Sequence, residues 1–400
     1  MKRLNLPHAS AIVALASLMA FGTQVVFALL MLHLFSPTEV GEFSLLSQIG
    51  FFWMTLALAQ APLRLLANAH ISLGASLREA VHTSLQRGLC LLPLTLLALW
   101  FSDVPLWPAI LWITLLALFQ MGWMLAQSLT LRTTNPWHKA LVRVLPPLTA
   151  ASAAWVGATL QSTAPTLVLS AIGGYLVGAG FLVPLWVTTS DETPPTPIPE
   201  PAQADKRSTG LRLMHTLTDA LLATALMVVW QRLYGAQETG WMSALLRVLG
   251  FVPALVHMAW AQVLLAERAA TPSRSSPLTP GRLALGAFCA VALLAFFCAM
   301  ALQQHWLDAR WRGIGSYLVA LALWQGCACL SAAFSHRPFQ TGRAAHYSWA
   351  CITLTATQAS VLLAPLAWDT SWSASHHMLA YALTSAVGLI GLTSWMARLR

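Results

Sequence analysis

The sequence predicts an all-α integral membrane protein with twelve transmembrane helices in two six-helix bundles. Three observations carry that reading. The 400 residues are 57% hydrophobic and 9% charged, whereas ordinary soluble domains carry about 25% charged residues. Twelve apolar runs follow one another along the chain, each close to the roughly 20 residues a bilayer-spanning helix needs. One polar turn also occurs twice: Leu34-Phe35-Ser36-Pro37-Thr38-Glu39-Val40-Gly41 is echoed 199 positions later by Leu233-Tyr234-Gly235-Ala236-Gln237-Glu238-Thr239-Gly240.

The first six runs cover residues 9–34, 43–67, 83–101, 107–131, 141–160 and 166–188. The second six cover 211–233, 241–266, 283–302, 314–334, 346–367 and 376–397. They are too long and too evenly apolar for barrel strands, which alternate. Lys2-Arg3 before the first run resembles the start of a signal peptide. That run, however, far exceeds an apolar core of about 7–15 residues and ends in no small-residue cleavage site, so it reads as the first span. Prolines within or at the ends of the runs, among them Pro93, Pro146, Pro147 and Pro365, are tolerated in membrane helices because neighbours satisfy the freed carbonyls.

Two lobes follow, at 1–188 and 211–400, joined by a Pro-rich linker at 189–210 that includes Thr193-Pro194-Pro195-Thr196-Pro197. Such a stretch is extended and builds no core. With the N-terminus in the cytoplasm, all of the 22 Lys and Arg except Arg232, Arg247, Arg310 and Arg312 fall in or near cytoplasmic segments, as the positive-inside rule requires. The net charge of +9 therefore reports topology rather than a nucleic-acid partner. Trp100, Trp107, Trp230, Trp241, Trp306, Trp311, Trp368 and Trp372 gather at the outer loops, where an indole keeps its apolar face in lipid and its N–H near water. Because each lobe has an even number of spans, both start on the same side. The repeat is thus parallel, about an axis along the membrane normal, with a substrate site expected between the halves near the midplane.

Enzyme readings lack parts. The chain has no Gly-x-x-x-x-Gly-Lys-Ser/Thr loop, no His-Glu-x-x-His motif and no carboxylate cluster for a metal, so no cofactor is expected. The six cysteines lie in apolar runs at spacings that match neither a metal site nor a disulfide framework. A membrane glycan polymerase or ligase would share the many spans. It typically carries a large outer loop, however, and the longest outer loop here, around 303–313, is short.

At the two Glu-x-Gly turns the sequence resembles the multidrug/oligosaccharidyl-lipid/polysaccharide (MOP) exporter superfamily, and within it the bacterial Wzx-type flippases of lipid-linked oligosaccharides. Phe35 to Phe43 is similar to the family's turn between the first two spans, Tyr234 to Trp241 to the turn between the seventh and eighth, and Trp260-Ala261-Gln262-Val263-Leu264-Leu265 to the end of the eighth. The resemblance implies a V-shaped pair of bundles in the bacterial inner membrane, with both termini cytoplasmic, that opens alternately to each side. It implies cationic cavity residues that meet the pyrophosphate of a polyprenyl-linked glycan. It also implies membrane lipid and a polysaccharide polymerase as partners. A cation-coupled multidrug exporter of the same superfamily is the alternative.

Ionisable groups within spans are functional candidates by default. Arg64, near the cytoplasmic end of the second run, reads either as a ligand for cargo phosphate or as a side chain snorkelling to headgroups. Arg247, about 9 Å below the outer end of the eighth run, reads as a cavity residue or a snorkelling one; its repeat equivalent is Gln48, also polar. Gln24 is a further cavity candidate. Asp219 is the one acidic residue deep in a run, about 12 Å from its start, with His215 four residues earlier on the same helix face. It reads as a coupling site for a proton or cation, or as a structural partner. Glu39, Gly41, Glu238 and Gly240 are assigned to the outer turns or gate.

Overall fold

The computed structural model describes residues 6–59, 61, 62, 65, 73–132, 135–184, 206–256, 280–368 and 372–399. These residues are almost wholly helical, and no strand occurs among them. The helices are α1 (Leu6–Leu34), α2 (Pro37–Leu58), α3 (Leu73–Phe101), α4 (Leu106–Thr130), α5 (Pro136–Leu160), α6 (Ala164–Gly180), α7 (Lys206–Leu255), α8 (Pro280–Gln303), α9 (Gly315–Phe334), α10 (Arg337–Gln340), α11 (Ala344–Trp368) and α12 (Ala374–Arg398), with a 3-10 turn at Ala309–Ile314. Nine stretches among the described residues are long and apolar enough to cross a membrane: α1, α3 to α6, α8, α11, α12 and a segment containing α9. The protein is a multi-pass membrane protein. Its outward side chains agree, since Leu89, Leu160, Val319 and Val387 are all at least 70% exposed, which suits a lipid solvent rather than water.

The remaining three runs of the sequence, 43–67, 211–233 and 241–266, flank the duplicated turn, and the first and last of them extend beyond the described residues. α2 stops at Leu58, where Ala59 takes a positive φ of 44°. The seventh and eighth runs lie in α7, which is two helices meeting at a kink where Gly235 leaves helical φ/ψ. These helices also hold most of the acidic residues found within the described helices: Glu39 and Glu42 on α2, and Asp219 and Glu238 on α7, against Glu79 alone in the others.

The chain divides into two compact units. The first comprises Met1–Pro201 and Trp230–Thr239, the second Ala202–Val229 and Gly240–Arg400. In the first, α2 is the central helix and packs against α3, α4 and α6, while α5 lies against α1 and α6. Buried indoles tie these contacts down. Trp53 donates its N–H to the Gly88 carbonyl of α3 at 2.7 Å, and Trp123 of α4 donates to the Val142 carbonyl of α5 at 2.7 Å. Each leaves no stranded donor in an apolar interior, where an unmade bond costs about 1–3 kcal/mol. α5 starts where Asn135 accepts from the Trp137 amide at 2.9 Å and Pro136 takes the first helical position, where proline loses no needed donor.

In the second unit, α9 packs between α8 and α12, and α11 lies against α12. Gln358 of α11 donates to the Ser385 hydroxyl of α12 at 2.7 Å, and Ser385 passes its proton to the Tyr381 carbonyl at 2.8 Å. Buried His377 donates its Nε2 proton to the Val361 carbonyl at 3.1 Å. Such bonds link membrane helices at about 0.6 kcal/mol each. The end of α12 is capped from outside: Arg337 donates to the Ala397 carbonyl at 2.7 Å while its guanidinium lies over the Phe334 ring.

Candidate functional site

The first turn is a helix start. Ser36 precedes α2, Pro37 sits at its first position, and the Ser36 hydroxyl accepts from the Glu39 amide at 3.3 Å. The Glu39 carboxylate accepts in return from the Ser36 amide at 2.6 Å. This reciprocal cap satisfies two of the helix's orphan donors and sets a negative charge on the positive end of the helix dipole. Phe35, Val40 and Gly41 are buried around it. Glu39 thus holds its own helix in place.

The second turn is a kink where two helices meet. Gly235 adopts φ 83° and ψ 178°, a region essentially reserved for glycine. The Thr239 hydroxyl donates to the Gly235 carbonyl at 2.9 Å, and Trp230 packs on Tyr234 with ring centres 4.9 Å apart. Burial, reinforced by the nearby Glu238 carboxylate, pushes the Tyr234 hydroxyl up to about 12. Arg232 forms an ion pair with Asp103, which lies in the connection between α3 and α4. Gly240 is buried and begins the return into the second unit.

Asp219 is the centre of a polar cluster in the second unit. One carboxylate oxygen lies 3.0 Å from Nε2 of His215, a turn earlier on α7, and the other accepts from the Thr355 hydroxyl of α11 at 3.2 Å. The His215 ring meets the edge of Tyr347 at 5.7 Å, and Cys351 lies beside both. His215 is mostly enclosed and Asp219 is about half open.

The other candidates lie on different helices. Gln24 is exposed on α1, Gln48 is half-buried on α2 and Arg247 is half-buried on α7. Arg64, Gln60, Gln262 and His257 lie outside the described residues. A group that sequence reading placed among the cytoplasmic basic residues has a different setting. Arg143, about two turns into α5, is half-buried and donates to the Ser17 hydroxyl of α1 at 2.6 Å. No carboxylate pairs with it among the described residues. The signal for it was a lone arginine inside a 25-residue apolar helix. Among the described residues no three His, Cys, Asp or Glu side chains converge to hold a metal ion.

No known protein family matches this chain, and no curated protein matches it. Among solved structures the chain is similar to one described as the inward-facing conformation of a multidrug resistance MATE family transporter of the MOP superfamily. The identity is 11% and the TM-score 0.49, over 96% of this chain and 93% of that one.

Proposed function

We propose that this protein is an exporter of the MOP type. It moves a polyprenyl-pyrophosphate-linked oligosaccharide, a polysaccharide or O-antigen precursor, from the cytoplasmic to the periplasmic leaflet of the inner membrane. Two six-helix lobes, 1–188 and 211–400, rock about the linker at 189–210 and open alternately to each side. The cargo leaves unchanged, so the reading asks for positioning and charge rather than bond-making chemistry. Arg64, Arg247, Gln48 and Gln24 line the path, Glu39, Gly41, Glu238 and Gly240 form its outer turns, and a polymerase receives the product.

The observation that supports this reading best is Arg143. A guanidinium set into an apolar helix against a neutral hydroxyl, with no carboxylate pairing it among the described residues, leaves its positive charge available to an anionic group. The low dielectric of such a site strengthens attraction for a phosphate. The duplicated turn adds the symmetry that alternating access uses.

The Asp219–His215 contact is the coupling candidate of this reading, since an acid–base pair within a span suits proton coupling, and it equally suits a second reading, a cation-coupled multidrug exporter. Reconstitution separates the two. Proteoliposomes loaded with a labelled polyprenyl-pyrophosphate glycan should expose it on the opposite leaflet faster than empty liposomes. A lipophilic cation such as ethidium should show no gradient-driven movement. The reverse pattern gives the protein to the multidrug reading.

A further inference from the structure

α11 and α12 run antiparallel and enclose a groove of about 750 Å³ between them. It extends from His346 and Trp395 at one end to Thr357 and Leu383 at the other. Eleven residues of α11 at 1.5 Å each make that length about 17 Å, more than half of a hydrocarbon core of about 30 Å. Its walls are apolar. Thr353 and Thr357 donate their hydroxyl protons to their own helix, to the Trp349 and Thr353 carbonyls, which commits each donor locally. Gly388 brings α12 against Leu354 at the floor, while a methyl group placed on Gly391 would meet no atom within 4 Å. The rim is open: Val387 is 71% and Ile390 47% exposed.

The two ends of this helix pair are unlike in charge. Neither α11 nor α12 carries an Asp or Glu. Arg343, His346 and Arg398 lie exposed at the end marked by Trp395. The Arg337 bond to the Ala397 carbonyl draws the segment before α11 against the end of α12 and so gathers this basic group. The opposite end, from Trp368 to Ser373, holds no Lys or Arg. An apolar slot in a membrane helix pair takes hydrocarbon rather than water, and a basic cluster at headgroup depth takes an anion. Indoles such as Trp395 favour that same depth.

We propose that the groove is a binding site for an anionic glycerophospholipid, with one acyl chain lying along α11 and α12 and the phosphate among Arg343, His346 and Arg398. The site belongs to the second unit alone and does not depend on what the protein exports. It makes this unit's stability respond to the charge of the surrounding membrane, because a ligand that binds only the folded state stabilises it.

The test uses the full-length protein in a neutral detergent, titrated with phosphatidylglycerol or phosphatidylcholine and followed by thermal unfolding and native mass spectrometry. Phosphatidylglycerol should raise the melting temperature by a few degrees and remain bound as one lipid; phosphatidylcholine should do neither. Gly391→Leu, which fills the slot without displacing protein atoms, should keep the lipid-free melting temperature and lose the rise. Val387→Trp, which closes the groove from its exposed rim, provides the same reading should the first variant fold poorly. Arg343→Gln with Arg398→Gln should abolish the preference for the anionic lipid. An undiminished rise in the groove-filling variants, equal stabilisation by both lipids, or displacement of phosphatidylglycerol by undecaprenyl phosphate at lower concentration would overturn the proposal.

Discussion

The two copies of the outer turn share a Glu-x-Gly register, yet they are built by different means. The first copy is a joint between separate helices, closed by Ser36 and Glu39 bonding each other's amides. The second has no such cap. The two helices of α7 meet there at Gly235, steadied by Thr239 and by the ion pair of Arg232 with Asp103. Ten residues around this second copy, Trp230–Thr239, belong to the first unit, although α7 lies in the second unit on both sides. The lesson is that one repeated pattern supports both a capped corner and a glycine kink. A capping box fixes the entry of a helix, whereas a glycine backbone state interrupts the helical path at one residue and changes its direction.

The comparison can be broken most forcefully at Gly235. Gly235→Val places a β-branched residue at a φ near 83° and should destabilise the protein by about 3 kcal/mol, the upper end for such backbone strain, read as a lowered melting temperature in detergent. The equivalent change in the first copy, Ser36→Val, alters no such backbone state and should cost less. Ser36→Ala removes half of the capping box and should cost about 1 kcal/mol, with Glu39→Gln retaining part of it. If Ser36→Ala and Gly235→Val have equal effects, the distinction between corner and bend fails. The smallest effect belongs to the Arg232–Asp103 pair. Both side chains are well exposed, so a double-mutant cycle with Arg232→Gln and Asp103→Asn should give about 0.5 kcal/mol, fading as salt is raised.

Nine of the twelve apolar runs match membrane-length helices among the described residues, because hydropathy over about 20 residues reports a lipid-facing helix directly. The bend at Gly235 was not. A lone glycine between two apolar runs looks the same whether the chain turns in a loop or in a kinked helix, and only its φ separates the two. The candidate site divides in the same way. His215 and Asp219 are four apart on one helix, a spacing the sequence displays. Thr355, Tyr347 and Cys351 join them from α11, more than a hundred residues away, and nothing in local spacing announces a contact between helices. Arg143 was counted with the basic residues of the cytoplasmic face because charge counting ignores partners, and its bond to Ser17 crosses from α5 to α1.

Leaflet translocation of a labelled polyprenyl-pyrophosphate oligosaccharide in proteoliposomes tests the central claim most directly, with wild type compared with Arg143→Gln and Asp219→Asn at matched incorporation. The expected result is translocation well above that of empty liposomes for the wild type. Both variants should fall by about tenfold or more, the loss of one charged contact worth about 1.4 kcal/mol, with unchanged melting temperatures. Glycan movement no faster than in empty liposomes, or full rates in both variants, would contradict it.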